Sequence, residues 1–239
     1  MQLLVSIAGP SEARAALAGG AAVIDAKDPR QGAMAAVRPE VLRAVRAAVP
    51  TTHPLSVVLG DGGRPEPLAR RAATASRLAA AFVKVGFRGV ATQAHAHRLA
   101  AAVRRGAGDL TRVVLVAYAD WRRADSLDPG ALIAVAAQAG AAGVLLDTAV
   151  KARGLFALLD PDAVGAWVAA SHAAGLFAGL AGSLRGADFA PARALGADLV
   201  GVRGAACVGG RTGRVSAVRV AELSALARAA PVAPRAVFV

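Results

Sequence analysis

The chain of 239 residues is poor in several things, and each scarcity removes a class of protein. Its single cysteine, Cys207, rules out an internal disulfide framework, and a reducing cytoplasm is the simplest compartment for it. Aromatic residues make up 4%, too few for the stacking platforms with which proteins hold single-stranded nucleic acid. No run of about 18 apolar residues free of charge occurs, so no membrane span is expected. The opening "MQLLVSIAGPSEARA" lacks the basic stretch of a signal peptide and reads as a strand followed by a helix. Acidic residues are also few, 16 against 28 Lys plus Arg, for a net charge of +12. That balance invites a nucleic-acid-binding reading. The arginines, however, are scattered among alanines with no basic tail, the pattern of solvated helix surface.

The most informative scarcity is lysine. Lysine stands only at 27, 84 and 151, and the other 25 basic residues are arginine. Arginine stays charged and is no nucleophile near neutral pH, whereas a lysine amine loses its proton readily when desolvated. The surviving lysines are therefore candidates for positions that require a primary amine.

What the chain has in plenty is one repeated unit. Apolar runs ending in Gly or polar residues occupy 2–9, 21–28, 54–61, 82–87, 112–120, 143–149, 176–183 and 198–204. Helical segments follow near 11–19, 38–48, 66–80, 92–106, 129–140, 161–174, 188–195 and 216–229. Continuous apolar strands alternating with helices indicate a parallel sheet covered on both faces. The joints "AGGAAVID", "QAGAAGVLLD" and "ALGADLVGV" each place a Gly where a helix closes in the left-handed conformation. Eight units in this length predict an α/β fold of the (β/α)₈ barrel type, one domain over 1–230 with a tail over 231–239. That tail is a segment available for packing against a partner subunit, as in a homo-oligomer. A doubly wound sheet is the alternative, but strand 1 leads into "GPSEAR", a plain Ser N-cap without the dinucleotide fingerprint.

Barrel active sites sit at the C-terminal ends of the strands, and all three lysines fall there. Lys27 closes strand 2, Lys84 lies in strand 4 and Lys151 follows strand 6. The competing reading has each amine leave the rim into water or make an ordinary salt bridge. Strand alternation sends Asp25 and Lys27 to one face, and turns Phe82, Lys84 and Gly86 toward the lumen. Asp147 and Lys151 stand at i,i+4, a pairing distance within a helical turn. Several neighbouring amines lower one another's pKa, which favours a neutral nucleophile and a Schiff base with a carbonyl substrate. Asp28 supplies an extra carboxylate expected to push Lys27 back up. In units 7 and 8, "LAGS" and "GVRGAA" put Gly182, Ser183, Gly201 and Gly204 where barrels bind phosphate through backbone N–H groups, with Arg203 as a charged contact.

Other residues give less. His53, His95, His97 and His172 have no metal-ligand spacing, and no metal or cofactor is expected. Asp61 and Asp120 end strands 3 and 5 and either line the mouth or cap the next segment. Cys207 reads as a small core residue. The residues alone leave open an imine-forming aldolase, a non-covalent phosphate-binding isomerase or synthase, and a basic nucleic-acid module.

"IDAKDPRQG", "VKVGFRG", "AYAD", "LLDTAVK", "LAGS" and "VGVRGAAC" together resemble the (5-formylfuran-3-yl)methyl phosphate synthases of methanofuran biosynthesis. These are also called 4-(hydroxymethyl)-2-furancarboxaldehyde-phosphate synthases, and the resemblance runs from strand 1 through strand 8. It implies a TIM barrel, and condensation of two glyceraldehyde 3-phosphate molecules with loss of phosphate and water. It also implies Lys27 as the Schiff-base lysine, Lys84 as proton acceptor, and Asp25, Asp147 and Lys151 as further catalytic residues. The substrate implied is a small triose phosphate, with neither nucleic acid nor membrane as partner. An Asp at 28 and the Arg30–Gln31 pair depart from the family pattern. The Ala/Arg-rich composition is that of a GC-rich bacterial source, for which the resemblance implies a methanofuran-like cofactor of one-carbon metabolism.

Overall fold

Short β-branched runs form eight strands because each is bounded by residues that stop it. These are β1 Gln2–Ile7, β2 Val23–Ala26, β3 Leu55–Asp61, β4 Phe82–Gly86, β5 Arg112–Tyr118, β6 Gly143–Asp147, β7 Phe177–Leu180 and β8 Leu199–Val202. In the computed structural model, which describes residues 1–229, they pair in parallel, in chain order. β8 returns to β1 through Gln2↔Leu199 to Val5↔Val202, so the sheet is a closed eight-stranded barrel. The expected fold is observed, and the 231–239 tail lies outside the described residues.

The helices covering the barrel are α1 Pro10–Ala18, α2 Pro39–Ala48, α3 Pro65–Arg77, α4 Gln93–Ala107, α5 Pro129–Gln138, α6 Pro161–Ala173, α7 Phe189–Ala194 and α8 Ala217–Arg228. Five begin on a proline, which fits the first helical turn because its missing N–H has no partner there anyway. In α1 this corrects the reading of Ser11 as the cap. Pro10 takes the first position, Gly9 becomes the N-cap, and Glu12 reaches back to accept the Ala8 N–H at 2.7 Å. The three joint glycines behave as expected, Gly20, Gly140 and Gly196 all having φ between 64° and 84°.

Two apolar layers follow from strand alternation. One lies between strands and helices and includes Val5, Ile7, Leu59, Leu99, Leu115 and Leu146. The other fills the lumen with Leu4, Val23, Val58, Val114, Val116, Leu145 and Leu199. At the N-terminal end of the lumen Phe82 and Phe177 meet edge to face at 5.9 Å, with the Arg112 guanidinium 5.0 Å over Phe82. The register of β3 on β4 slips between Val58 and Gly60, and Arg71 donates to the Leu59 carbonyl at 2.8 Å beside that slip.

One element absent from the sequence reading is a hairpin after β8. Its strands are β9 Cys207–Val208 and β10 Arg214–Val215, antiparallel and joined across "GGRTG". Cys207 is fully buried, as expected of a core residue, and burial raises its thiol pKa.

At the rim, Gly86 is a glycine for a spatial reason. A Cβ there would fall 2.3 Å from Asp61 Oδ1 and 2.5 Å from the Tyr118 hydroxyl, both of which close over its α-carbon. Gly86→Ala is therefore expected to destabilise the barrel by about 1–3 kcal/mol, as overpacking does. A denaturant midpoint equal to that of the native chain would contradict this.

Candidate active site

The C-terminal ends of the strands open into a cavity of about 910 Å³. Lys27, Lys84, Asp147 and Lys151 all line it, so the three amines scattered over 125 positions of sequence converge on one space. Alternation along β2 and β4 is what sends Lys27 and Lys84 inward, and both are buried, at 8% and 4% exposure.

The polar groups divide into two ion-paired units with Lys27 between them. On one side Lys84 Nζ lies 2.9 Å from Asp25 Oδ1, a charge contact whose angle is not that of a hydrogen bond. Asp25 is fully buried, and its other oxygen accepts from the Ser6 hydroxyl at 2.9 Å. It stands behind Lys84, outside the cavity wall. On the other side Lys151 Nζ lies 2.6 Å from Asp147 Oδ1 and also donates to the Thr148 carbonyl at 2.5 Å. The i,i+4 pairing is thus present, formed across a turn. Asp147 Oδ1 accepts the Thr148 N–H as well, at 2.7 Å.

Lys27 has no carboxylate within ion-pair distance among the described residues. Burial is the main force on it and lowers its pKa from 10.5 to about 8, against the pull of Asp147 and Asp25. Lys84 and Lys151 add smaller downward contributions, so amine repulsion, expected to be the cause, is secondary to desolvation. Asp28 plays no part in this balance. Its carboxylate turns away to accept from Arg30 N–H at 3.0 Å and Gln31 Nε2 at 2.8 Å, which corrects the expectation that it would raise Lys27. Burial pushes the Asp147 carboxyl up, but Lys151, Lys27 and the Thr148 N–H outweigh it and hold the pKa below the usual value.

The glycine loops of units 7 and 8 form the opposite wall, where Gly182, Ser183, Gly201, Arg203 and Gly204 line the same cavity. Gly182 (φ +98°) and Ser183 (φ +55°) turn the backbone consecutively through the left-handed region. A Cβ at Gly182 would meet Thr148 Cγ2 at 2.8 Å, so only glycine fits. The N–H groups of Gly182, Ser183 and Leu184 have no acceptor among the described residues. They form the sort of concave donor set that receives anions.

Arg203, expected to face a phosphate, has its guanidinium committed elsewhere. Its five N–H groups go to the carbonyls of Ser6, Arg211 and Gly213 and, in bidentate fashion, to Glu12. The side chain ties the β8 loop to α1. Arg211, which sequence reading passed over, also lines the cavity. Asp61 and Asp120 resolve as structural caps. Asp61 accepts the Arg88 N–H at 2.9 Å. Asp120 accepts the Ala149 and Val150 N–H groups at 2.7 and 2.9 Å, which fixes the turn carrying Lys151. No group of three or more His, Cys, Asp or Glu among the described residues is arranged to hold a metal ion. None of their helices is long and apolar enough to cross a membrane.

Comparisons with known proteins agree on the fold and the family. A solved structure of phosphoribosyl anthranilate isomerase from Thermus thermophilus superposes with a TM-score of 0.61 over 95% of this chain and 98% of its own. At 17% identity that likeness speaks for the fold alone. The (5-formylfuran-3-yl)methyl phosphate synthase of Methanopyrus kandleri is 39% identical over 218 residues, covering 89% of this chain and 92% of that protein. The enzyme of the same name from Methanocaldococcus jannaschii is 35% identical over 235 residues, covering 95% and 100%. The sequence profile of the 4-HFC-P synthases matches residues 3–224, essentially the whole barrel, and the chain belongs to that family.

Proposed function

We propose that this enzyme condenses two molecules of glyceraldehyde 3-phosphate into (5-formylfuran-3-yl)methyl phosphate through a Schiff base on Lys27. The supporting observation is the Lys27 amine itself. It is buried, has no bonded carboxylate, titrates near 8, and faces a cavity shared with two other lysines. An amine in that condition is a nucleophile near neutral pH.

The neutral amine adds to the first aldehyde, and water leaves to give an iminium. The iminium acidifies the adjacent C–H, which Lys84 removes in its neutral form, with the Asp25 carboxylate beside it to stabilise the ammonium that results. The second triose eliminates its phosphate to give 2-hydroxyacrolein, whose terminal carbon the enamine carbon attacks, so that this triose's own aldehyde is kept as the formyl group. Lys151 and Asp147, held 2.6 Å apart, manage protons during dehydration and phosphate loss. Attack of a hydroxyl oxygen on the iminium closes the ring and releases the amine. Gly182, Ser183, Gly201 and Gly204, with the backbone rather than the side chain of Arg203, hold the retained phosphate. The reaction is a carbon–oxygen lyase chemistry serving a methanofuran-type cofactor of one-carbon metabolism, and the single cysteine suits a reducing cytoplasm.

The reading is tested by borohydride reduction in the presence of substrate, followed by mass spectrometry. The expected result is a triose adduct on the peptide carrying residue 27, with a furan chromophore and free phosphate in the unreduced reaction. An unmodified protein would exclude the imine. The pH profile adds a second check. The reactive form is the neutral one, so the trapping rate is expected to rise as pH passes upward through about 8 and then level off. A rate still climbing nearly tenfold per pH unit at about pH 9 would mean an amine with an ordinary pKa.

A further inference from the structure

The proposed condensation brings two phosphorylated trioses together, yet the glycine loops offer one anion cradle. The cations of the cavity wall differ in the company each keeps. Lys84 pairs with Asp25, Lys151 with Asp147 and Arg203 with Glu12. Arg185 is exposed, so water solvates its charge.

Arg211 differs from all of these. It stands in the loop between β9 and β10, with its backbone packed against Gly204 of the β8 loop. Its side chain crosses the mouth to the β2–α2 loop, where Nη1 donates to the Pro29 carbonyl and Nη2 to the Gly32 carbonyl at 2.6 Å. Those two bonds use two of five N–H groups, and no carboxylate among the described residues pairs with it. Arg211 is half-buried, and burial lowers its pKa against the weaker pull of Asp147 and Asp28, the mark of a charge partly stripped of water. A desolvated cation with unused donors on the wall of an anion-binding cavity calls for an anionic ligand.

We propose that Arg211 receives the phosphate of the second triose, forming a second anion subsite on the β2 side of the mouth, apart from the glycine loops. The ligand class is a phosphate monoester, for which the planar guanidinium offers a fork of parallel donors. This placement deepens the condensation proposed above and rests on it for the identity of the second substrate. The competing role is that of a strap, tying the hairpin to the β2–α2 loop and touching no ligand.

Two variants separate the roles. Arg211→Gln keeps an amide able to donate to the loop carbonyls but removes the charge, whereas Arg211→Lys keeps the charge and loses the fork. Titration with inorganic phosphate by calorimetry is expected to show two binding events in the native protein and one in Arg211→Gln. Arg211→Lys should retain the second event in weakened form. In steady state, Arg211→Gln should raise KM for glyceraldehyde 3-phosphate about tenfold or more, the size of a lost charged hydrogen bond. Borohydride trapping of unphosphorylated glyceraldehyde should proceed at the native rate. Native phosphate binding in Arg211→Gln overturns the proposal, as does an equal loss of trapping with phosphorylated and unphosphorylated aldehyde, and either result leaves Arg211 a strap. Should the native protein form no imine at all, the Lys27 reading fails, and the phosphate titration still decides the role of Arg211.

Discussion

Lys27→Arg is expected to leave a folded barrel that forms no borohydride-stable adduct and turns over at least about 10³-fold more slowly than the native chain. The substitution keeps a cation in place, so charge loss alone is not being measured. What disappears is the capacity to be neutral, because a guanidinium remains protonated throughout the accessible range. With a pKa of about 8, about a tenth of the native amine is neutral at pH 7. An ordinary lysine would offer only about one molecule in three thousand. Adduct on the residue 27 peptide of the variant, or turnover within tenfold of native, would remove Lys27 from its role.

The same shift has a thermodynamic sign. A lysine whose folded pKa lies below its unfolded value binds fewer protons when folded, so stability rises with pH between about 8 and 10.5. Below pH 8 the burial of this ammonium costs the fold up to roughly 3 kcal/mol. Lys27→Met is accordingly expected to be more stable than the native chain at pH 7, with the difference shrinking as pH rises through that window. Urea denaturation at pH 7 and pH 10 measures it, and a variant less stable at both values would refute the desolvation account.

The second large effect belongs to Lys84. Lys84→Met should permit the imine at Lys27 but reduce turnover by about 10²–10⁴, the usual loss when a positioned proton acceptor is removed. It should also weaken the fold by about 3–5 kcal/mol, because it leaves Asp25 fully buried without its counter-charge. A second change, Asp25→Asn, should restore much of that stability and none of the turnover. The combination separates the structural from the chemical role of the pair. Normal turnover in Lys84→Met would refute the proton-acceptor assignment, and unchanged stability would show Asp25 to be satisfied by Ser6 alone.

Much of this was legible before any coordinate. The alternation of apolar runs with helices is local information, and every expected strand and helix overlaps an observed one. The lysines stood out through economy of residue use in a chain that prefers arginine, and the structure brings all three to one cavity. Arg203 and Arg211 were not separable in this way. What distinguishes them is the partnership of Arg203 with Glu12, 191 positions away, a contact that exists only because the barrel closes β8 onto β1. Adjacent sequence carries no trace of it. The β9–β10 hairpin was hidden for another reason. Two-residue strands flanking "GGRTG" are too short to show a period, and glycine composition alone reads as loop.

The aromatic pair beneath the lumen has a kinetic consequence. Phe82 and Phe177 pack across the N-terminal end with Arg112 set over Phe82, while the cavity that holds the lysines lies at the other end, at the strands' C-terminal ends. In the condensation proposed above, two reactants entering by that mouth must queue, the triose bound to Lys27 ahead of its partner. On that proposal, such a chamber would hold the labile enamine away from passing carbonyl compounds until the correct partner arrives at the threshold.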